Sequence, residues 1–534
     1  MTKVTGQANL SMLIRLVGAW VGLGMAACSP VAAPQPAALP GPALPPDREV
    51  VLAVSRELAN GIQDPYFAHS SLMVWESLVA LDDQLRPVPQ IAESWELSAD
   101  GRSWTFKLRP GLRFSDGTPL TAGAVVANVQ RFLQLSPRPS PFFTLNARLA
   151  YGDLADVARV DEQTVRFQHN TPTPSMVHTM SGFFSAIFSP GSFAPNGDFT
   201  GIPVASGPFV LREWKKDQYV LLERNEHYAG QPPNVRQIRL RVIPDAGARV
   251  SALLARELDG VVELGALLPA QAQELKNRPG ITVGADPISI SQYLAFNASR
   301  PPFNVPEVRR AVALAVDREQ IVQGLVLGFG VAGKSLLSPF APQWLSPKGE
   351  PAFDPRKARD LARAALGDGR ASATLVFAGG AGQARPYKAI AELLQSELAP
   401  LGIDLQLLSL EQAALNDRLS KGDWDLRLAQ QGWANGDPDF IFANFLHSTG
   451  TYNAANKAGY RNPEVDRLVA AGRGERNPQQ RYAIYEQLQE IAATDVPVLP
   501  LYHEVAPYAY RDTIAGLRQR INYQPTLDEI RLLR

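Results

Sequence analysis

The only cysteine of this 534-residue chain is Cys28, close to its start. Everything after it has to fold without a disulfide and without a thiolate metal site, on buried apolar surface. The residues before the cysteine are equally restrictive. Lys3 and Arg15 make a weakly basic start, and residues 16–27 are twelve uncharged positions, ending in Met25, Ala26 and Ala27. A basic leader, a short apolar stretch and small residues before a cut site make residues 1–27 a secretory signal. The stretch is too short to span a bilayer, which takes roughly 20 residues.

Residues 25–28 resemble a lipobox, with Met25 where Leu is more usual. The resemblance implies cleavage before Cys28, lipid on its thiol and attachment to a membrane. Residues 29–46 hold seven prolines and five alanines in eighteen positions. Such a stretch buries no core and favours extended polyproline II. Residues 28–47 therefore read as a lipidated tether reaching roughly 50 Å at about 3.1 Å per residue.

The remaining body is long enough for two to four units with sizeable cores. Apolar residues make up 45% of the chain, and Lys plus Arg equals Asp plus Glu at 52 each. The balanced charge argues against a nucleic-acid partner, which calls for a basic excess. The histidines are His69, His169, His178, His227, His447 and His503. No pair has the spacing of a helical zinc motif, and no cofactor is expected.

Residues 328–335, Gly-Phe-Gly-Val-Ala-Gly-Lys-Ser, match the pattern of a phosphate-binding P-loop. That chemistry needs a strand before the loop and a helix after it. Here Val308, Ala311, Val312, Ala315 and Val316 predict a helix upstream, and Asp317 with Gln320 predicts a capped second one. Pro339 and Pro342 break any helix downstream. The match is rejected, and neither a Gly-x-Ser-x-Gly elbow nor a His-Glu-x-x-His motif occurs.

Along the body, residues 50–54 read as a strand. Residues 95–97 and 104–108, around Asp100-Gly101, read as a hairpin. A helix is expected after Thr121, and strands at 164–168 and 219–223. The second half changes character. A strand at 374–377, a Gly-rich loop at 378–383, a helix at 386–398 stopped by Gly402 and a strand at 403–408 make a β-α-β unit. A helix at 411–420 and a strand at 425–429 repeat the crossover, so this part is an α/β lobe.

Open parallel sheets bind ligands beyond the carboxyl ends of their strands. The loop after the first of these strands carries Arg385. The loop after the last carries Trp433, Asn435, Asp437 and Asp439. An aromatic face, a cation and carboxylates are thus expected at one crevice. Trp433 also suits a core position, the two aspartates suit turn chemistry beside Pro438, and Arg385 suits a solvated surface.

Residues 75–82 read Trp-Glu-Ser-Leu-Val-Ala-Leu-Asp, and residues 89–122 carry a long run through Trp95, Asp100-Gly101, Trp104 and Asp116-Gly117. With Ser206-Gly207-Pro208-Phe209, Asn225-Glu226-His227-Tyr228, Phe296-Asn297, Arg309-Arg310-Ala311 and Asp437-Pro438-Asp439, the chain strongly resembles the family 5 extracellular solute-binding proteins of ABC importers, the peptide- and nickel-binding group.

The resemblance implies a two-lobed α/β periplasmic-binding-protein fold, hinged like a Venus flytrap. Lobe I would span 48–290 and 507–534, with an extra subdomain at about 86–199, and lobe II 291–506. It implies a monomer that is not an enzyme. It would stand at the periplasmic or extracytoplasmic face and serve the permease subunits of an ABC importer. One departure is Ala124, where relatives have Asp before the helix. For the ligand, a di- or oligopeptide places Asp437 on the amino group, Arg385 on the far carboxylate and Trp433 beneath, although the loop is about two residues shorter than in dipeptide binders. The alternative is a nickel chelate, with His447 or His69 near the metal and Arg138 at a chelator-binding position. A less favoured reading is a structural lipoprotein that binds nothing.

Overall fold

A computed structural model describes residues 47–142, 144–341, 344–345, 351–380, 384–433 and 435–533. The signal segment, Cys28, the tether up to Pro46 and residues 381–383 of the Gly-rich loop lie outside the described residues.

The apolar run Val50–Val54 forms β1, covered on both faces as an unbroken Val/Leu/Ala stretch requires. It belongs to an 11-stranded sheet. The other strands, in chain order, are β2 (Phe209–Lys215), β3 (Tyr219–Arg224), β4 (Gln237–Val242), β5 (Gly260–Val261), β6 (Ile281–Phe296), β7 (Gly330–Ala332), β8 (Ala371–Ala378), β9 (Ile403–Leu410), β10 (Leu426–Gly432) and β11 (Val498–Arg511). Their order across the sheet is β9-β8-β10-β6-β11-β5-β1-β4-β3-β2, with β7 on β11.

Two strands join the halves. β6 has 16 residues and β11 has 14, and they pair antiparallel along most of their length. At one end β11 meets β5, and near the other β6 meets β10. At about 3.3 Å per residue each is long enough to serve both lobes. Their register slips in two places, between Gln292↔Tyr502 and Tyr293↔Pro500 and, nearer the middle, between Pro287↔Val505 and Ser291↔His503. Inside that bulge Ser289 takes other backbone partners. It donates to the Ile521 carbonyl at 2.7 Å and accepts from the Trp433 amide at 2.6 Å. A local break in a two-strand ladder is a natural place to bend.

The expected crossovers are present. β8 is parallel to β9 and to β10. The helix Tyr387–Leu398 between β8 and β9 buries Ile390, Leu394 and Leu398, and Gly402 ends its 3-10 extension at φ +79°. The helix Gln412–Lys421 leads into β10, which starts one residue later and runs three further than the sequence suggests. One core of this lobe contains Ile390, Leu394 and Phe296; another contains Trp424, Trp433, Phe442 and Tyr485.

On the other side, the hairpin Ala92–Leu97 and Ser103–Leu108 is joined by Thr164–His169 and Leu154–Arg159 in a 4-stranded sheet. Trp104 and Phe106 pack there with β1 and β4 residues in the first-lobe core.

Two local readings change, and the rejection of the P-loop stands. Helix Ala122–Leu135 begins before Ala124, so that residue is a buried position in the first turn and not a preceding cap. Asp317 does cap, accepting from the Gln320 amide, but the α-turn Arg318–Gln320 passes straight into a π-turn at Ile321–Leu325. The P-loop look-alike contributes β7, paired with Tyr502, His503 and Glu504, where no phosphate cradle forms.

Candidate functional site

The carboxyl ends of the parallel strands β8 and β10 open onto one edge, as the crossover pattern requires. Trp433 leaves β10 and is 2% exposed in the core. Its Nε1 donates to the Asp437 carbonyl at 2.7 Å and closes the loop on itself. The loop then enters the helix Pro438–Phe445, with Pro438 at its first position and Asp437 capping it by accepting from the Asp439 amide at 2.9 Å. The Asp437 carboxylate is also gripped by both terminal nitrogens of Arg481, at 2.8 Å each, from the helix Pro478–Asp495. Burial alone would raise the Asp437 pKa. The Arg481 charge, with His178 and the cap, outweighs burial and holds it below the ordinary carboxylate value. Asp439 pairs outward with Arg473 at 2.9 Å, and the Asn435 side chain accepts from the Asp437 amide.

This loop meets the other lobe. His178, in the turn Met176–Thr179, donates from Nδ1 to the Asn435 carbonyl at 3.0 Å, and its Nε2 stands 3.9 Å from Asp437. Leu85, from the turn between the short strands Val79–Leu81 and Pro87–Pro89, is fully buried in the core that holds Trp433. Gly436 lies against it: a Cβ there would stand 2.2 Å from the Leu85 carbonyl oxygen.

Arg385, after β8, turns to the crossing strands. Its Nε and Nη2 reach the two oxygens of Glu504 on β11, at 2.9 and 3.1 Å. Gln292 on β6 donates to Glu504 and accepts from the Tyr387 hydroxyl. Burial opposes the Arg385 charge, but Glu504 more than offsets that and raises its pKa. Leu264, Gly265, Ala384, Arg385, Glu504 and Ala506 border a small cavity of about 40 Å³ where the lobes meet.

Facing these loops, the carboxyl ends of β1 and β5 place Arg56 beside Glu263. Nε and Nη2 of Arg56 both donate to one Glu263 oxygen, at 3.1 and 2.8 Å, and Ser55 donates to the other. Tyr523, from the C-terminal segment, approaches β10; a Cβ on Gly432 would lie 3.5 Å from its hydroxyl.

Among the described residues the candidate histidines make no hydrogen bond or ion pair with this set of charges, although His69 feels the charge of Arg56. His447 sits beside Asp466, 3.8 Å away, and beside Thr449. His69 is buried and accepts from the Ser71 amide, with Phe142 and Phe183 edge-on to its ring. Arg138 pairs with Asp198 at 2.6 Å. Among the described residues no group of three or more His, Cys, Asp or Glu is arranged to hold a metal ion.

The structure thus brings Trp433, Asn435, Asp437 and Asp439 together, and gives each acidic side chain an internal partner. Arg385 points instead to the crossing strands, where Glu504 holds it. His178, Arg481, Glu504, Leu85 and the Arg56–Glu263 pair went unread in the sequence, because nothing local to them announces partners so distant in the chain, 44 positions away for Arg481 and 257 for His178.

Burial pushes His69 down to about 3, with Arg56 adding to the effect, and pushes His503 down to about 3. Both values lie below the ordinary one, so the unfolded chain binds the extra protons. The neutral rings contribute fully above about pH 6.5, and the contribution is lost as pH falls towards 3. Between pH 6.5 and 5 each histidine should cost about 2 kcal/mol of stability. Denaturant unfolding across that range checks it, and His503→Asn should flatten the profile.

The chain's likeness to known proteins agrees with this architecture. A model of the bacterial extracellular solute-binding proteins, family 5 (middle), matches residues 86–453. The chain is 27% identical over 448 residues to the probable D,D-dipeptide-binding periplasmic protein DdpA of Escherichia coli K12, covering 82% of this chain and 83% of that one. It is 27% identical over 485 residues to the glutathione-binding protein GsiB of Escherichia coli O1:K1, covering 88% and 91%. The crystal structure of NikA from Brucella suis, in complex with Fe(III)-EDTA, superposes with a TM-score of 0.79 at 23% identity, over 91% of this chain and 100% of that one. With more than half of its length matched by the family model and with the two-lobed fold in place, the chain belongs to the bacterial extracellular solute-binding proteins of family 5.

Proposed function

We propose that this chain captures a small peptide-like, zwitterionic solute between its lobes and delivers it unchanged to the permease subunits of an ABC importer. The carrying observation is the pair of crossing strands, β6 and β11, with the loop after β10 bonded into their bulge through Trp433 and meeting the turn Met176–Thr179 through Asn435. That layout permits closure around a solute by bending at one place. The curated relatives named above for D,D-dipeptides and for glutathione favour a peptide. Lobe I at 48–290 and 507–534 and lobe II at 291–506 remain the division proposed, with the subdomain at about 86–199.

The test is native mass spectrometry of protein purified from its own host, followed by release and identification of what it carries. A small peptide recovered intact supports the reading. A chemically altered ligand points to an enzyme, and a nickel chelate to the alternative cargo. Small-angle scattering should show compaction on adding the recovered solute; an unchanged profile favours a structural lipoprotein.

The second part of the proposal is the anchor. Cys28→Ser is expected to move the protein from the membrane fraction to the soluble extracytoplasmic fraction, since no described helix is long and apolar enough to cross a membrane. Retention in salt-washed membranes would refute the lipid attachment.

A further inference from the structure

The two charges expected to hold a zwitterion are already engaged. Asp437 is clamped by Arg481 and Arg385 by Glu504, all at hydrogen-bonding distance. The first lobe offers a different cation. Arg56 and Glu263 each stand two residues past the ends of β1 and β5, at the carboxyl ends of two parallel strands. This is where such sheets present ligand groups.

The pair is built unequally. The Glu263 side chain is 1% exposed, whereas that of Arg56 is 42% exposed. Glu263 is held at φ +85°, a left-handed conformation that a non-glycine residue rarely adopts. Strain of this kind concentrates where a side chain has to be aimed. Both oxygens of the carboxylate are used, one by Ser55 and the other by Nε and Nη2 of Arg56 together. Two donors on one oxygen leave the outer edge of the guanidinium unfilled. Among the described residues Nη1 has no hydrogen-bond partner. The Arg56 charge is felt at His69 and at Tyr523, and Tyr523 reaches across to Gly432 at the end of β10. The next residues after Glu263, Leu264 and Gly265, border the interlobe cavity with Arg385.

We infer that Arg56, propped by the buried Glu263, is the first-lobe clamp for a carboxylate of the solute and sets selectivity for ligands that carry one. The inference rests on the peptide reading above. An arginine edge suits a planar carboxylate bidentately, and Glu263 orients the guanidinium and balances its charge.

The test is titration calorimetry of the full mature protein with D-Ala-D-Ala, L-Ala-L-Ala and glutathione, each as the free acid and as the C-terminal amide. The parent should bind at least one acid about 30-fold or more tightly than its amide, as expected for a desolvated charge pair. Arg56→Gln should abolish that preference by weakening the acid far more than the amide, and Arg56→Lys should keep part of it. A merely structural Arg56 would shift acid and amide together, which circular dichroism and the amide arm would reveal. Equal binding of an acid by the parent and by Arg56→Gln overturns the clamp and leaves the peptide reading standing. If the parent binds no acid and no amide, the peptide reading fails and the clamp falls with it.

Discussion

Replacing Arg481 with alanine is expected to destabilise the protein by about 3–5 kcal/mol, the cost of leaving a buried carboxylate without its partner. The side chains of Arg481 and Asp437 are 8% and 2% exposed. Arg481 also donates from Nε to the Gly472 carbonyl and from Nη2 to the Tyr485 hydroxyl, so its loss strands several groups at once. Arg473→Ala is the control. Its partner Asp439 is largely buried, but Arg473 itself is half exposed, and pairs of that kind are worth about 1 kcal/mol or less. Urea unfolding of the two variants beside the parent separates them. The Asp437 pKa lies below its ordinary value, so its contribution is present above the usual carboxylate range and lost as pH falls through the depressed one. Arg481→Ala should therefore be less sensitive to acid than the parent. If Arg481→Ala instead unfolds at the parent's midpoint, Asp437 is not tied down, and its carboxylate is again a candidate for a solute amino group.

That test bears on what a sequence can reveal about such a site. The β-α-β units around Tyr387–Leu398 and Gln412–Lys421 were legible because helix and strand periodicities are local, and two consecutive crossovers fix parallel strands. The same logic identified the edge carrying Arg385 and the loop from Trp433 to Asp439. Partners were not legible. Asp437-Pro438-Asp439 reads equally as ligand chemistry or as a helix start, and the sequence has no means of showing that Arg481, on a later helix, reaches back 44 positions. Trp433 poses the same problem, since the aromatic floor of a site and a core tryptophan have identical local patterns. The crossing strands were half legible. The family resemblance placed the lobe boundary at 290/291 and 506/507, within β6 and β11, whereas the bulge is a matter of register between two segments more than 200 residues apart. The leader and Cys28 are read from sequence alone, and they lie outside the described residues.

Gly436→Ala is expected to hold the lobes apart and weaken solute binding about 100-fold, as when the binding-competent conformation falls to about 1% of molecules. Gly436 has φ +68°, so any side chain is strained there. The larger obstacle is steric. The added Cβ would stand 2.2 Å from the Leu85 oxygen and 2.7 Å from the Leu85 Cβ. Leu85 cannot retreat easily: its amide donates to the Asp82 carbonyl at 2.9 Å, and the Arg86 amide donates to the Asp82 carboxylate at 2.9 Å. The Leu85 side chain is fully buried in the second-lobe core, although the chain around it belongs to the first lobe. Relief therefore comes from moving the whole Asp82–Arg86 turn away, which withdraws Leu85 and pulls His178 from the Asn435 carbonyl. Gly474→Ala, in a helix with nothing within 4 Å of the new Cβ, should leave affinity unchanged. Small-angle scattering of Gly436→Ala with saturating solute should show the expanded form, while the parent and Gly474→Ala compact. Compaction of Gly436→Ala to the parent's dimensions would show that the Leu85 turn yields and that this contact does not govern closure.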